Sequence, residues 1–238
     1  MWELGRIVYL GTMTGIIGTG LGGILLALGK RPKGDTLGFL LGLSSGVMLA
    51  VVFQDLIPEA LMLKGLGITF AGVILGVISL LAITPFLPQG TTSLTRTSLL
   101  LGIGIALHNL PEGLAIGAGY LASPNLGLSL ALALCLHDIP EGMAMAAPLL
   151  AAGFAKDEVV LWTILAGLPM GLGALIGGVL GTLSPETLAG SLSFAAGAML
   201  FLVFHELLPQ ALDGTSPLIT TMGAIIGVLI GLSFLGFC

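Results

Sequence analysis

His108-Asn109-Leu110-Pro111-Glu112-Gly113 and, 29 residues on, His137-Asp138-Ile139-Pro140-Glu141-Gly142 are near-copies set inside long apolar runs. An ionised side chain at the centre of a membrane helix costs roughly 2.5–3.5 kcal/mol. Glu112, Asp138 and Glu141 would together cost on the order of 8–10 kcal/mol if those costs added. A chain that carries the motif twice has a use for it. The residue types suggest which use. On a helix, residues four apart share a face, so His108 with Glu112 and His137 with Glu141 each present an imidazole and a carboxylate together. Two such helices packed antiparallel bring two nitrogens and two carboxylates to one point, a donor set that suits tetrahedral Zn²⁺ and, with added water, Fe²⁺ or Mn²⁺. Asn109 and Asp138, one residue on, can form an adjacent second site with Glu112 and Glu141 leaning between.

The surroundings fix the fold class. Of 238 residues, 56% are hydrophobic and 8% charged, with a mean hydropathy of +1.14. Soluble domains carry about 25% charged residues, so a water-facing surface cannot be built from what remains. No basic patch suits nucleic acid. Cys135 and Cys238 form no spaced pair and imply no disulfide framework. The 38 glycines point to closely packed helices.

Spans of about 20 residues are expected at about 7–28, 37–61, 67–84, 98–121, 127–150, 159–182, 187–210 and 218–236. The first reads as a retained span, since no small-residue cleavage site follows it. Lys64-Gly65 is a tight turn, and 85–97 is the longest loop. The loops on one side hold Lys30, Arg31, Lys33, Arg96 and Lys156; the side of the termini holds Arg6 and Lys64. The positive-inside rule therefore places both termini outside the cytoplasm.

A second internal match is longer. Residues 45–61 (SGVMLAVVFQDLIPEAL) align with 196–212 (AGAMLFLVFHELLPQAL), with Gly46/Gly197, Phe53/Phe204 and Pro58/Pro209 in register. The copies lie in spans two and seven, which run oppositely. The expected architecture is thus an all-α polytopic membrane protein of eight transmembrane helices in a 3+2+3 inverted repeat, as one domain over 1–238. Inverted repeats mark secondary transporters with midplane sites.

A lone buried histidine is ordinarily a hydrogen-bonded core residue. Here all three, His108, His137 and His205, lie in spans beside Asn109, Asp138 and Glu206. Lys and Arg are absent from the span centres, so only a metal or protons can neutralise the acids. Gln54, Asp55 and Glu59 read as an outer station, and His205 and Glu206, with Gln210 beyond, as a cytoplasmic one. Cys135 and the methionines read first as packing. A membrane-embedded metal-dependent hydrolase is the alternative, but no H-E-x-x-H occurs.

With these residues in hand, the chain resembles the ZIP (Zrt/Irt-like protein) family of divalent metal transporters along its whole length. The resemblance implies a first metal site at His108, Glu112, His137 and Glu141. It implies a second at Asn109 and Asp138 with the two glutamates bridging, and pathway residues at His205 and Glu206. It also implies influx of Zn²⁺, or in some members Fe²⁺, Mn²⁺ or Cd²⁺. The metal is cargo and no cofactor is implied; the other partner is the lipid bilayer, and a homodimer is compatible. Two departures stand out. Met170 replaces a span-six glutamate found in clearly binuclear members, which weakens the second site, and 85–97 has no histidine, so no metal-sensing loop is expected.

Overall fold

The structure is a computed structural model and describes residues 2–87, 92–181 and 184–234. These form helices α1 (Trp2–Leu28), α2 (Asp35–Val51), α3 (Ile57–Ile83), α4 (Ser93–Ala122), α5 (Pro124–Ala152), α6 (Lys156–Gly167), α7 (Pro169–Leu180), α8 (Pro185–Phe201), α9 (Leu208–Leu212) and α10 (Pro217–Phe234). No strand occurs among the described residues. Among the described residues six helical stretches are long and apolar enough to cross a membrane, and Pro217–Ser233 is a shorter apolar helix. The chain is an all-helical, multi-pass membrane protein.

Three features of the sequence explain departures from ideal helix. One run extends from Asp35 to Phe86, 52 residues. Straight, it would reach about 78 Å at 1.5 Å per residue, far beyond a hydrocarbon core of about 30 Å. It bends at Gly65, whose φ of 69° lies where only glycine is comfortable. Pro58 and Pro209 leave the carbonyls of Gln54 and His205 without their usual donors. The helix ahead of each widens into a π turn, Val52–Leu56 and Leu202–Leu207. Ile57 N–H reaches back to Val52 O, and Leu208 N–H to Val203 O. The third feature is Pro169, which divides the sixth expected span into α6 and α7 with Leu168 between them.

Other boundaries shift modestly. α4 starts at Ser93, five residues before the expected 98, because Thr92 Oγ1 accepts the Thr95 N–H and caps it. The expected long loop is correspondingly shorter; its Pro88 and Gly90, like Cys238, lie outside the described residues.

The helices gather into two bundles. In one, α1 packs on α5, α6 and α7, and α4 on α5 and α7; in the other, α2 packs on α10 and α3 on α8. The seams inside each bundle are backbone against backbone. A Cβ on Gly76 would strike the carbonyl of Phe194, and one on Gly227 that of Leu43; Gly197 faces Val73 and Gly46 faces Ala224. Every number in the first of each pair differs from its mate by 151, the offset of the sequence match. In the other bundle Gly22 meets the Ile139 carbonyl and Gly173 that of Leu110, again 151 apart on one side and 29 on the other. Between the bundles, by contrast, Gly104 meets only the side chain of Leu202. Two buried hydrogen bonds also cross there: Ser44 Oγ donates to Pro140 O at 2.9 Å, and Thr97 Oγ1 to Glu206 Oε2 at 2.8 Å.

Gly197→Ala should lower the stability of the purified protein by about 1–3 kcal/mol, the usual cost of overpacking. Gly67→Ala, where an added Cβ meets nothing, should be neutral or slightly stabilising, as Ala is in a helix. Thermal unfolding in detergent checks both.

Candidate metal centre

Pro111 and Pro140 sit inside α4 and α5, and the residues on either side of them carry the site. His108, Asn109, Glu112, His137, Asp138 and Glu141 are all buried. The two motifs meet at one level because Gly113 and Gly142 let their helices close on Met170 of α7 and Thr19 of α1.

The imidazoles and carboxylates pair across the helices, not along them. His108 Nε2 lies 2.7 Å from Glu141 Oε2, and His137 Nε2 lies 3.2 Å from Glu112 Oε1. Spacing alone put His108 with Glu112 and His137 with Glu141. Within a helix those Cβ atoms stand ~5–6 Å apart along one face, while the long glutamate reaches the histidine of the facing helix. Asp138 Oδ1 lies 3.5 Å from His137 Nε2. Glu112, His137 and Asp138 form the tightest group, with ligand atoms all within 4.8 Å of one another.

The decisive property is what these groups lack. Among the described residues, every buried side-chain polar atom without a hydrogen bond belongs to the two motifs: His108 Nδ1, Asn109 Oδ1, Glu112 Oε2, both Asp138 oxygens and Glu141 Oε1. Native structures leave such atoms unpartnered rarely, and a buried, unpaired charge is costlier still. A divalent cation is a partner that such acceptors accept, and Glu112, His137 and Asp138 are close enough together to share one. Asn109 is only half free, since its Nδ2 donates to Ala166 O at 3.2 Å.

His205 and Glu206 do not join this group. Glu206 Oε1 lies 2.9 Å from His205 Nδ1, and the imidazole stacks on Phe201 with centroids 4.6 Å apart. They border a cavity of 490 Å³ with Ser93, Arg96, Thr97 and Gln210. Thr97 precedes His108 by eleven residues on α4, about 16 Å along a helix. At the other π turn, Gln54, Asp55 and Glu59 are exposed. Met170 is fully buried, with its side chain among Ile116, Ala131 and Leu130. Reading the sequence missed Thr97 and Ser44, single hydroxyls that nothing in the pattern distinguishes from ordinary helix residues.

The family profile described as "ZIP Zinc transporter" matches residues 84–238. The chain belongs to the ZIP family. Zinc transporter ZupT of Escherichia coli O127:H6 (strain E2348/69) is 34% identical over 236 residues, covering 92% of this chain and 90% of the relative. That of strain K12 / DH10B is 33% identical over the same coverage. ZIP proteins are transporters, so the hydrolase alternative falls away and the metal is cargo, not a cofactor.

Each half of the crossed arrangement needs its acid. Replacing Glu112 by Gln keeps the shape but removes a charge facing His137 and Asp138, and should weaken Zn²⁺ binding on the order of 100-fold, at least what second-shell changes cost. Isothermal titration of purified protein reads the change.

Proposed function

We propose that this chain carries Zn²⁺, or a similar divalent transition metal such as Fe²⁺, Mn²⁺ or Cd²⁺, across a cell membrane into the cytoplasm. It does so by alternating access around a midplane site. The observation that carries the reading is that every unpartnered buried polar side-chain atom among the described residues belongs to the two motifs, which two crossed His–Glu pairs join. His108, Glu112, His137 and Glu141 hold the cargo. Asp138, with Asn109, makes the adjacent second position, lacking a carboxylate at Met170.

The chain crosses the bilayer eight times, over the spans given above, as a single 3+2+3 unit. The bend at Gly65 supports counting Asp35–Phe86 as two crossings, and the 151-residue offset shared by the glycine seams supports the inverted repeat. Both termini are on the non-cytoplasmic side. Asp55 then receives metal from outside, and His205 and Glu206 form the station from which it leaves. The cavity beside them supports that order. A homodimer in the bilayer is compatible with the lipid-facing surfaces, on which Phe70, Leu75, Leu218 and Leu229 are exposed.

Reconstituted in liposomes, the wild type should accumulate Zn²⁺ down a gradient, and Glu112→Ala and His137→Ala should each lose at least about 90% of the flux, roughly 1.4 kcal/mol. Wild-type flux in either variant would sink the proposal. Binding needs neutral imidazoles and ionised carboxylates, so protons compete with metal. Uptake should fall as the outside pH is lowered from 7 to 5, measured as initial rate at subsaturating Zn²⁺.

A further inference from the structure

The two motifs differ at one chemically important place: Asn109 stands where its mate is Asp138. Their surroundings give a reason. The glycine contacts relate the two halves by offsets of 29 and 151, which make Gly18 of α1 the counterpart of Pro169. Asp138 packs over Gly18, where an added Cβ would sit 2.5 Å from the Asp138 Cβ and 2.8 Å from the Cys135 carbonyl. α1 is unbroken there, from Trp2 to Leu28. An unbroken helix satisfies its own carbonyls and asks nothing of a neighbour.

Span six is different. Pro169 has no N–H, and its ring crowds the carbonyl four residues before it. Around it the backbone tightens to three-residue bonds, Leu168 N–H to Leu165 O and Gly171 N–H to Leu168 O. On this turn the Ala166 carbonyl takes the Asn109 amide. Only an amide can both donate there and leave an oxygen, Oδ1, buried without a hydrogen-bond partner. A carboxylate at 109 would set lone pair against lone pair.

We infer that Asn109 is a positioning residue: its amide N–H ties the first motif to the broken turn of span six, orienting Oδ1 and joining α4 to α6 and α7 at the level of the metal. This rests on the reading of Asn109 as a neighbour of the cargo site, but the tether itself exists without metal.

The experiment is hydrogen–deuterium exchange on full-length, chelator-treated protein, followed by Zn²⁺ titration. In Asn109→Asp, the amides of residues 167, 168, 170 and 171 should exchange about tenfold faster, the worth of one buried hydrogen bond. Asp138→Asn should leave them unchanged. Pro169→Ala, which returns a donor to the broken turn, should reduce the effect of Asn109→Asp. The variant should also bind Zn²⁺ about tenfold more weakly, although a carboxylate is the stronger ligand; a merely ligating Asn109 would give equal or tighter binding. If Asn109→Asp does not fold, Asn109→Ala takes its place. Unchanged exchange at 167–171, equal acceleration by Asp138→Asn, or wild-type Zn²⁺ affinity in Asn109→Asp overturns the inference. Absence of flux in the wild type would overturn the proposed transport and leave the exchange result standing.

Discussion

The structure depends on one electrostatic constraint. Three carboxyl groups, Glu112, Asp138 and Glu141, lie buried in an apolar helical protein, and the ionisable groups paired with them are two imidazoles. The crossed pairs satisfy one oxygen of each glutamate and leave the others. A soluble enzyme would hydrate the remainder, but the middle of a bilayer offers no water to an isolated group. The two motifs therefore concentrate buried acceptors where hydrogen-bond donors are few.

Prolines set the geometry that the glutamates need. Pro111 and Pro140 loosen α4 and α5 one residue ahead of the acids, and the glycines one residue after let neighbouring backbones approach. Pro58 and Pro209 do related work at the periphery, where widened turns carry Asp55 and Glu206. π turns often mark functional positions in helices, and here each bears an acid.

Much of this was legible in the residues. The duplicated hexapeptide singled out the residues that the fold buries and pairs, because charge is conspicuous where hydropathy is high. The match of 45–61 with 196–212 has the same 151-residue offset as the glycine contacts, and Lys64-Gly65 gave the bend. What could not be read was the pairing. Helical spacing groups His108 with Glu112, but which carboxylate an imidazole meets depends on the distance between two helices, which Gly113 and Gly142 set against Met170 and Thr19. Likewise the amide of Asn109 was read as a ligand. Its bond to Ala166 depends on a broken turn in another helix, 57 residues away.

The glycine seams have a mechanical consequence. Within each bundle, bare backbones touch along α2 with α10, α3 with α8, and α4 with α7, so there is no side chain to rotate out of the way. Across the joint, besides the hydrogen bonds of Ser44 and Thr97, contact is made through side chains such as Leu202, which can change rotamer at little cost. Stiffness is thus concentrated inside two blocks and compliance in the surface between them. Any movement of one block against the other is therefore easiest along that surface, which the Ser44–Pro140 hydrogen bond places beside the second motif.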